Sequence, residues 1–335
     1  MVYLILFFLF ASLLLYTILG GADFGAGILE LFTLRRNSQK VRHLTYKAIG
    51  PVWEANHIWL ILIVVILFVA FPEVYRLLSI HLHIPIMLML LGIIMRGAAF
   101  IFRHYDAIQD GSQKTYSRVF ISASFMTPLF LGITAGATIL GGIDPEAIDF
   151  YGAYLAPWIN PFAIAVGIFF TAVCAFLAAV FLVGETDEAE LKAMFYRQTV
   201  VSNIVAVVSG IGVFITANIQ GLPLHEMYLS NPIALASVIV ASILVPLLWR
   251  TLNQGRYQWA RILAGAEVAM ILMGWLGVQF PSMINLSGGG LAFQTAQAPD
   301  SVLTVMGWVL VGGAALIFPS LYYLFRVFKF EPPSS

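Results

Sequence analysis

The sequence predicts an all-α integral membrane protein with nine transmembrane helices, and three observations predict it. Of 335 residues, 60% are hydrophobic and only 10% charged, against roughly 25% charged in an ordinary soluble domain. Nine apolar runs each reach the ~20 residues needed to cross about 30 Å of hydrocarbon. Basic residues are concentrated in every second loop, as they must be if every run spans.

In chain order the spans fall at residues 2–32, 50–72, 77–102, 117–140, 157–184, 198–220, 231–252, 259–282 and 301–328. Their length argues for helices, since barrel strands would be about half as long and would alternate polar with apolar residues. The first run, MVYLILFFLFASLLLYTILGG, is read as a spanning helix rather than a secretion signal. No Lys or Arg precedes it, and its apolar stretch is too long for a signal core.

Sidedness gives an independent check on the count, because one miscounted helix would scramble every later loop. The first loop carries Arg35, Arg36, Lys40, Arg42 and Lys47, and the third Arg103, Lys114 and Arg118. The fifth carries Lys192 and Arg197, the seventh Arg250, Arg256 and Arg261, and the tail Arg326 and Lys329. Together these are fifteen of the 17 basic residues. Arg76 stands alone in the even loops, which carry acids instead, as in DPEAIDFYG with Asp144, Glu146 and Asp149. The N-terminus is therefore expected outside and the C-terminus in the cytoplasm.

Several function classes drop out. The formal net charge is zero, which gives no electrostatic reason to bind nucleic acid. One cysteine, Cys174, allows no internal disulfide and no cysteine metal cluster. No loop is long enough for a soluble catalytic domain, and no Walker, Rossmann or zinc pattern is present. The chemistry is expected within the bilayer. Spans one to four and five to eight could each form a bundle, an echo that rests on spacing alone.

Five ionisable side chains fall well inside the spans: Asp23, Glu54, His57, Arg96 and Glu267. A rise of about 1.5 Å per residue puts Glu54, Arg96 and Glu267 roughly 10 Å from their flanking basic residues, and Asp23 roughly 18 Å from Arg35. One polar layer in the cytoplasmic half is therefore expected, where pairing offsets part of the desolvation. In GGADFGAGILE, Asp23, Gly27 and Glu30 share a helix face, and Gly21 with Gly25 forms a small-xxx-small contact. Glu54 and His57, three apart, share a face of the second span. Acids beside a histidine suit proton relay, so Asp23, Glu54, His57 and Glu30 are candidates for a proton path. The plainer alternative is that Arg96 and Glu267 form ion pairs fixing helix register and that His57 is a packing residue.

Heme ligation is disfavoured. Two imidazoles must lie at similar depth on facing helices, whereas His57 lies near the cytoplasmic side and His81 and His83 near the other. His43, His104 and His225 sit in or beside loops, and the 11 methionines read as core filling.

PVWEANHIWL, with Pro51, Trp53, Glu54, Asn56, Trp59 and Leu60, resembles the second-helix signature of subunit II of the cytochrome bd-type quinol oxidases. GGADFGAG, with Asp23, Gly25 and Gly27, is similar to the same family's first-helix pattern, and RGAAFIFR, with Arg96, Phe100 and Arg103, to its third. Specific motifs cover residues 19–103; beyond them the resemblance rests on length, helix count and sidedness. Two positions depart from the pattern: Gly20 stands where the family has its first Asp, and Glu54 where many members have Asp.

The resemblance implies two four-helix bundles, over residues 1–140 and 157–282, and a peripheral ninth helix at 301–328. It implies a heme-bearing subunit I as partner, holding hemes b and d, with no heme ligated by this chain. The complex in a prokaryotic cell membrane would reduce dioxygen to water with quinol electrons. This chain would contribute assembly and, through Asp23 and Glu54, a cytoplasmic proton path. Trp53, Asn56 and Trp59 would be structural. Some members hold a structural quinone or add a small single-helix subunit. The competing readings are a proton-coupled secondary transporter and a purely structural subunit.

Overall fold

The computed structural model describes residues 1–33, 38–50, 53–105 and 112–326. Arg35, Arg36, Pro51 and Lys329 lie outside the described residues. Helix α1 runs Val2–Leu31 and contains one π turn, Tyr16–Gly20. A short polar helix, α2 (Ser38–Ile49), follows in the first basic loop. The second span, α3, covers Trp53–Ala70.

Here the sequence reading needs correction, because the third span does not begin at residue 77. Phe71 leaves the helical region (φ −134°, ψ 60°) and Pro72 opens a separate helix, α4 (Pro72–His81), bent by 115° from α3. Proline cannot donate the hydrogen bond that would continue α3, and it pre-sets the first turn of α4. Helix α4 is amphipathic: Val74, Leu77 and His81 are buried, while Glu73 and Arg76 pair at 2.6 Å on its exposed side. The hydrogen bonds from Arg76 hold the Glu73 carboxyl below the usual carboxylate range. The third span is α5, His83–Tyr105.

Helices α6 (Ser112–Leu140) and α7 (Phe150–Tyr154) lead to α8 (Pro161–Val183), whose start is capped by Asn160 accepting from the Ala163 N–H at 2.8 Å. Helix α9 (Ala189–Ile219) starts nine residues before the predicted 198. Its first turns, AELKAMFYR, are good helix formers that extend beyond the apolar run. Helices α10 (Leu224–Ser230), α11 (Pro232–Asn253) and α12 (Tyr257–Gln279) follow.

The segment after α12 forms an antiparallel hairpin, β1 (Ser282–Leu286) with β2 (Gly289–Ala292), where the eighth span was expected to reach 282. Gly289 sits at φ +125°, which suits only glycine. The hairpin is anchored on α6 through Asn285 Nδ2, which donates to the Ile139 carbonyl at 2.9 Å. A one-turn helix, α13 (Phe293–Ala296), precedes the last span, α14 (Asp300–Phe325).

Among the described residues, eight helices are long and apolar enough to cross a membrane, and α3 with α4 counts as a ninth when the bent pair is taken as one. The chain is an all-α integral membrane protein. Helix α8 lies at its centre, packed on α1, α6 and α9, and every residue from Thr171 to Val180 is buried. A helix apolar on all sides belongs in such a position. Helix α14 packs on α1 and α3 at the edge.

Candidate functional site

Helix α1 can approach both α6 and α8 because its inner face is made of glycine. A Cβ on Gly25 would overlap the backbone carbonyl of Cys174 on α8, and one on Gly27 would overlap the Ser124 hydroxyl on α6. This close packing, of the small-residue kind common between membrane helices, excludes lipid from the polar face of α1. Asp23 is only 2% exposed and Arg96 only 2%.

In that enclosure α1 and α5 are joined by two ionic rungs. Arg96 grips Asp23 with Nη1 on Oδ2 at 2.8 Å and Nη2 on Oδ1 at 2.6 Å, and Nη2 also donates to the Asp23 carbonyl at 2.9 Å. Its Nε donates to Ser124 Oγ at 3.0 Å. Two turns along, Arg103 Nη1 donates to Glu30 Oε2 at 2.8 Å. The Phe120 ring lies between the rungs, its centroid 4.9 Å from the Arg96 guanidinium carbon and 4.2 Å from that of Arg103. Phe24 supports Arg96 at 5.4 Å. These ring faces stabilise the two cations where water does not reach.

The rungs differ in how completely they are satisfied. Every donor of Arg96 aimed at α1 and α6 finds an acceptor, and both carboxylate oxygens of Asp23 are bonded. At the second rung, Glu30 Oε1 and Arg103 Nε and Nη2 are buried without a hydrogen-bond partner among the described residues. A carboxylate gripped at both oxygens by one guanidinium is fixed in place by two parallel charge-assisted hydrogen bonds. A carboxylate held at one oxygen retains a place for a proton or a water. The first rung is chemically a lock, and the second is open.

Helix α3 packs its signature residues against α1. Asn56 Nδ2 donates to the Leu19 carbonyl, within the π turn, at 3.4 Å. The His57 ring lies 6.4 Å from Tyr16 and 6.4 Å from Trp53. Trp53 also meets Phe100 of α5 at 5.4 Å, and the buried Trp59 faces Phe318 of α14 at 6.1 Å. The Glu54 side chain lies outside the described part of the structure. Glu267 of α12 is buried, with Oε2 lacking a hydrogen-bond partner among the described residues. It is not brought to Arg96. Of the single polar layer expected from depth, Asp23 and Arg96 come together and Glu267 does not.

The sequence reading overlooked the second rung, although the signal was present. Asp23 and Glu30 are seven apart on α1, and Arg96 and Arg103 are seven apart on α5. Equal spacing on two helices of the same direction places two pairs at one offset, roughly 10 Å apart along the axis. Phe120 and Ser124 carried no such signal, since they come from α6 and bear no charge. Among the described residues no three His, Cys, Asp or Glu side chains gather as a metal site.

The family model described as cytochrome bd terminal oxidase subunit II matches residues 1–328. The cytochrome bd-I ubiquinol oxidase subunit 2 of Escherichia coli (strain K12) is 23% identical over 327 residues, covering 88% of this chain and 86% of that protein. The cytochrome bd ubiquinol oxidase subunit 2 of Bacillus subtilis (strain 168) is 30% identical over 160 residues, 47% of this chain and 45% of the relative. In fold the chain is similar to a chain of the bd oxidase structure from Geobacillus thermodenitrificans, with a TM-score of 0.78, 21% identity, and coverage of 98% of this chain and 100% of that one. Because the family model matches residues 1–328, nearly the whole length, the chain belongs to the cytochrome bd terminal oxidase subunit II family.

Proposed function

We propose that this chain is the non-heme subunit of a quinol oxidase, that it supports a heme-bearing subunit I, and that it delivers cytoplasmic protons to the site of oxygen reduction. Membership of the subunit II family and the carboxylate ladder of α1 support the reading together. The partner's hemes supply the electron transfer and the oxygen chemistry. Reducing dioxygen to water consumes one proton per electron, and those protons must cross apolar protein. In this reading the basic loops face the cytoplasm, the N-terminus lies outside, and the two halves, residues 1–140 and 157–282, are separate four-helix bundles.

The observation that carries the mechanism is the contrast between the rungs. Asp23, gripped by Arg96, fixes the fold and the local charge. Glu30, with one oxygen unused, stands nearer the basic loops and takes up protons. Glu54 and His57 on one face of α3 pass them on, with the Tyr16 and Trp53 rings orienting the imidazole.

An affinity tag on this chain, used on native membranes, tests the assignment. The expected result is a heme-bearing membrane partner in the eluate, seen as reduced-state absorption bands, and quinol-dependent oxygen uptake. Elution of the chain alone, without heme bands but with proton-coupled solute uptake after reconstitution, would establish the transporter reading instead.

A further inference from the structure

The loop joining α6 to α8 ends in an unusual surface. Ile148 is fully exposed (101%), and the nearby Phe150 and Tyr151 are 64% and 58% exposed. The loop is held in shape rather than slack. Asp144 Oδ1 accepts from the Glu146 N–H at 3.0 Å and Asp149 Oδ2 from the Gly152 N–H at 2.7 Å. The Phe150 and His83 rings each pack on Tyr154 at 5.3 Å. Ile148 is thereby presented outward instead of folding onto the apolar surface nearby.

Three large apolar side chains exposed within four residues point to an interaction site, and the surrounding charge selects the kind of partner. Residues 141–160 contain three acids and no Lys, Arg or His. Insertion of the tip among lipid headgroups would desolvate Asp144, Glu146 and Asp149 with no cation from this loop to compensate them. A protein surface with an apolar pocket and a basic rim compensates both. We propose that Ile148, Phe150 and Tyr151 form a docking knob for an extramembrane segment of the heme-bearing subunit, one that offers such a pocket. The proposal rests on the assignment of that partner made above. Because the loop is ordered by its own hydrogen bonds, little conformational freedom is lost on docking.

The lone native thiol, Cys174, is buried, so Ile148→Cys introduces one accessible thiol into this chain. Its rate of maleimide labelling is read from the mass of this subunit in the purified, heme-retaining complex in detergent. Ser287→Cys, in the exposed hairpin turn at the same end, serves as reference. The knob predicts labelling at least tenfold slower at 148 than at 287, with the difference abolished when Glu146→Lys, whose side chain takes no part in shaping the loop, is added. Equal rates at the two positions would overturn the proposal. Protection that exists in lipid nanodiscs and vanishes in detergent would overturn it too, in favour of a lipid contact. Absence of heme from the preparation would instead refute the partner assignment, and the knob with it.

Discussion

Arg96→Leu is expected to abolish accumulation of the assembled protein. Asp23 would then be buried with no cation opposite it, and removing one member of a buried pair costs about 3–5 kcal/mol. That is a large part of the ~5–15 kcal/mol by which folded domains are stable. Ser124 would lose its donor and Phe120 one of its two cations at the same time. The double variant Asp23→Leu with Arg96→Leu is expected to recover much of the loss, because no uncompensated charge remains. Assembled complex, measured as heme-absorbing material per milligram of membrane, separates the two cases. If the single variant accumulates like wild type, the first rung is not the lock described here.

Gly25→Ala is expected to be nearly as damaging, although it adds one methyl group. The added carbon would overlap the Cys174 carbonyl and lie 2.7 Å from the Ala178 Cβ. Backbone cannot move aside as a side chain can, so α1 must back away from α8, and overpacking of this kind costs about 1–3 kcal/mol or more. Separation of these helices also lets lipid or water reach Asp23. Gly21→Ala is the control one turn earlier. There the nearest atoms are Cys174 Sγ and Leu177 Cδ1, each at 3.4 Å, an ordinary contact. The temperature of thermal inactivation of the purified complex should fall sharply for Gly25→Ala and stay near wild type for Gly21→Ala. Similar behaviour of the two variants would refute the close approach of α1 to α8.

These contrasts show which features local sequence carries. The spans were legible because crossing hydrocarbon demands long apolar runs; against the nine expected, the described residues give eight such helices and one bent pair. The break at Phe71 and Pro72 was not, since a window of apolar residues runs on through a change of direction. The hairpin at Ser282–Ala292 was hidden because its strands are short and adjoin the apolar end of α12. At the site, Asp23 and Arg96 were identifiable as charges that hydrocarbon does not tolerate. Which partner each would choose depended on helix neighbours: α5 brings Arg96 to α1, while Glu267 on α12 is directed elsewhere. Phe120 and Ser124 are ordinary residues locally and acquire their roles only when α6 closes over the ladder.

The central functional claim is that this chain retains membrane carboxylates to move protons, and Glu54→Gln tests it most directly. Gln keeps the size and polarity of the side chain but cannot release a proton. Oxygen consumption per heme in the purified complex is predicted to fall at least about a hundredfold, the low end of what a proton-transferring group contributes, with an unchanged reduced-state spectrum. Wild-type turnover per heme with that spectrum intact would contradict the account.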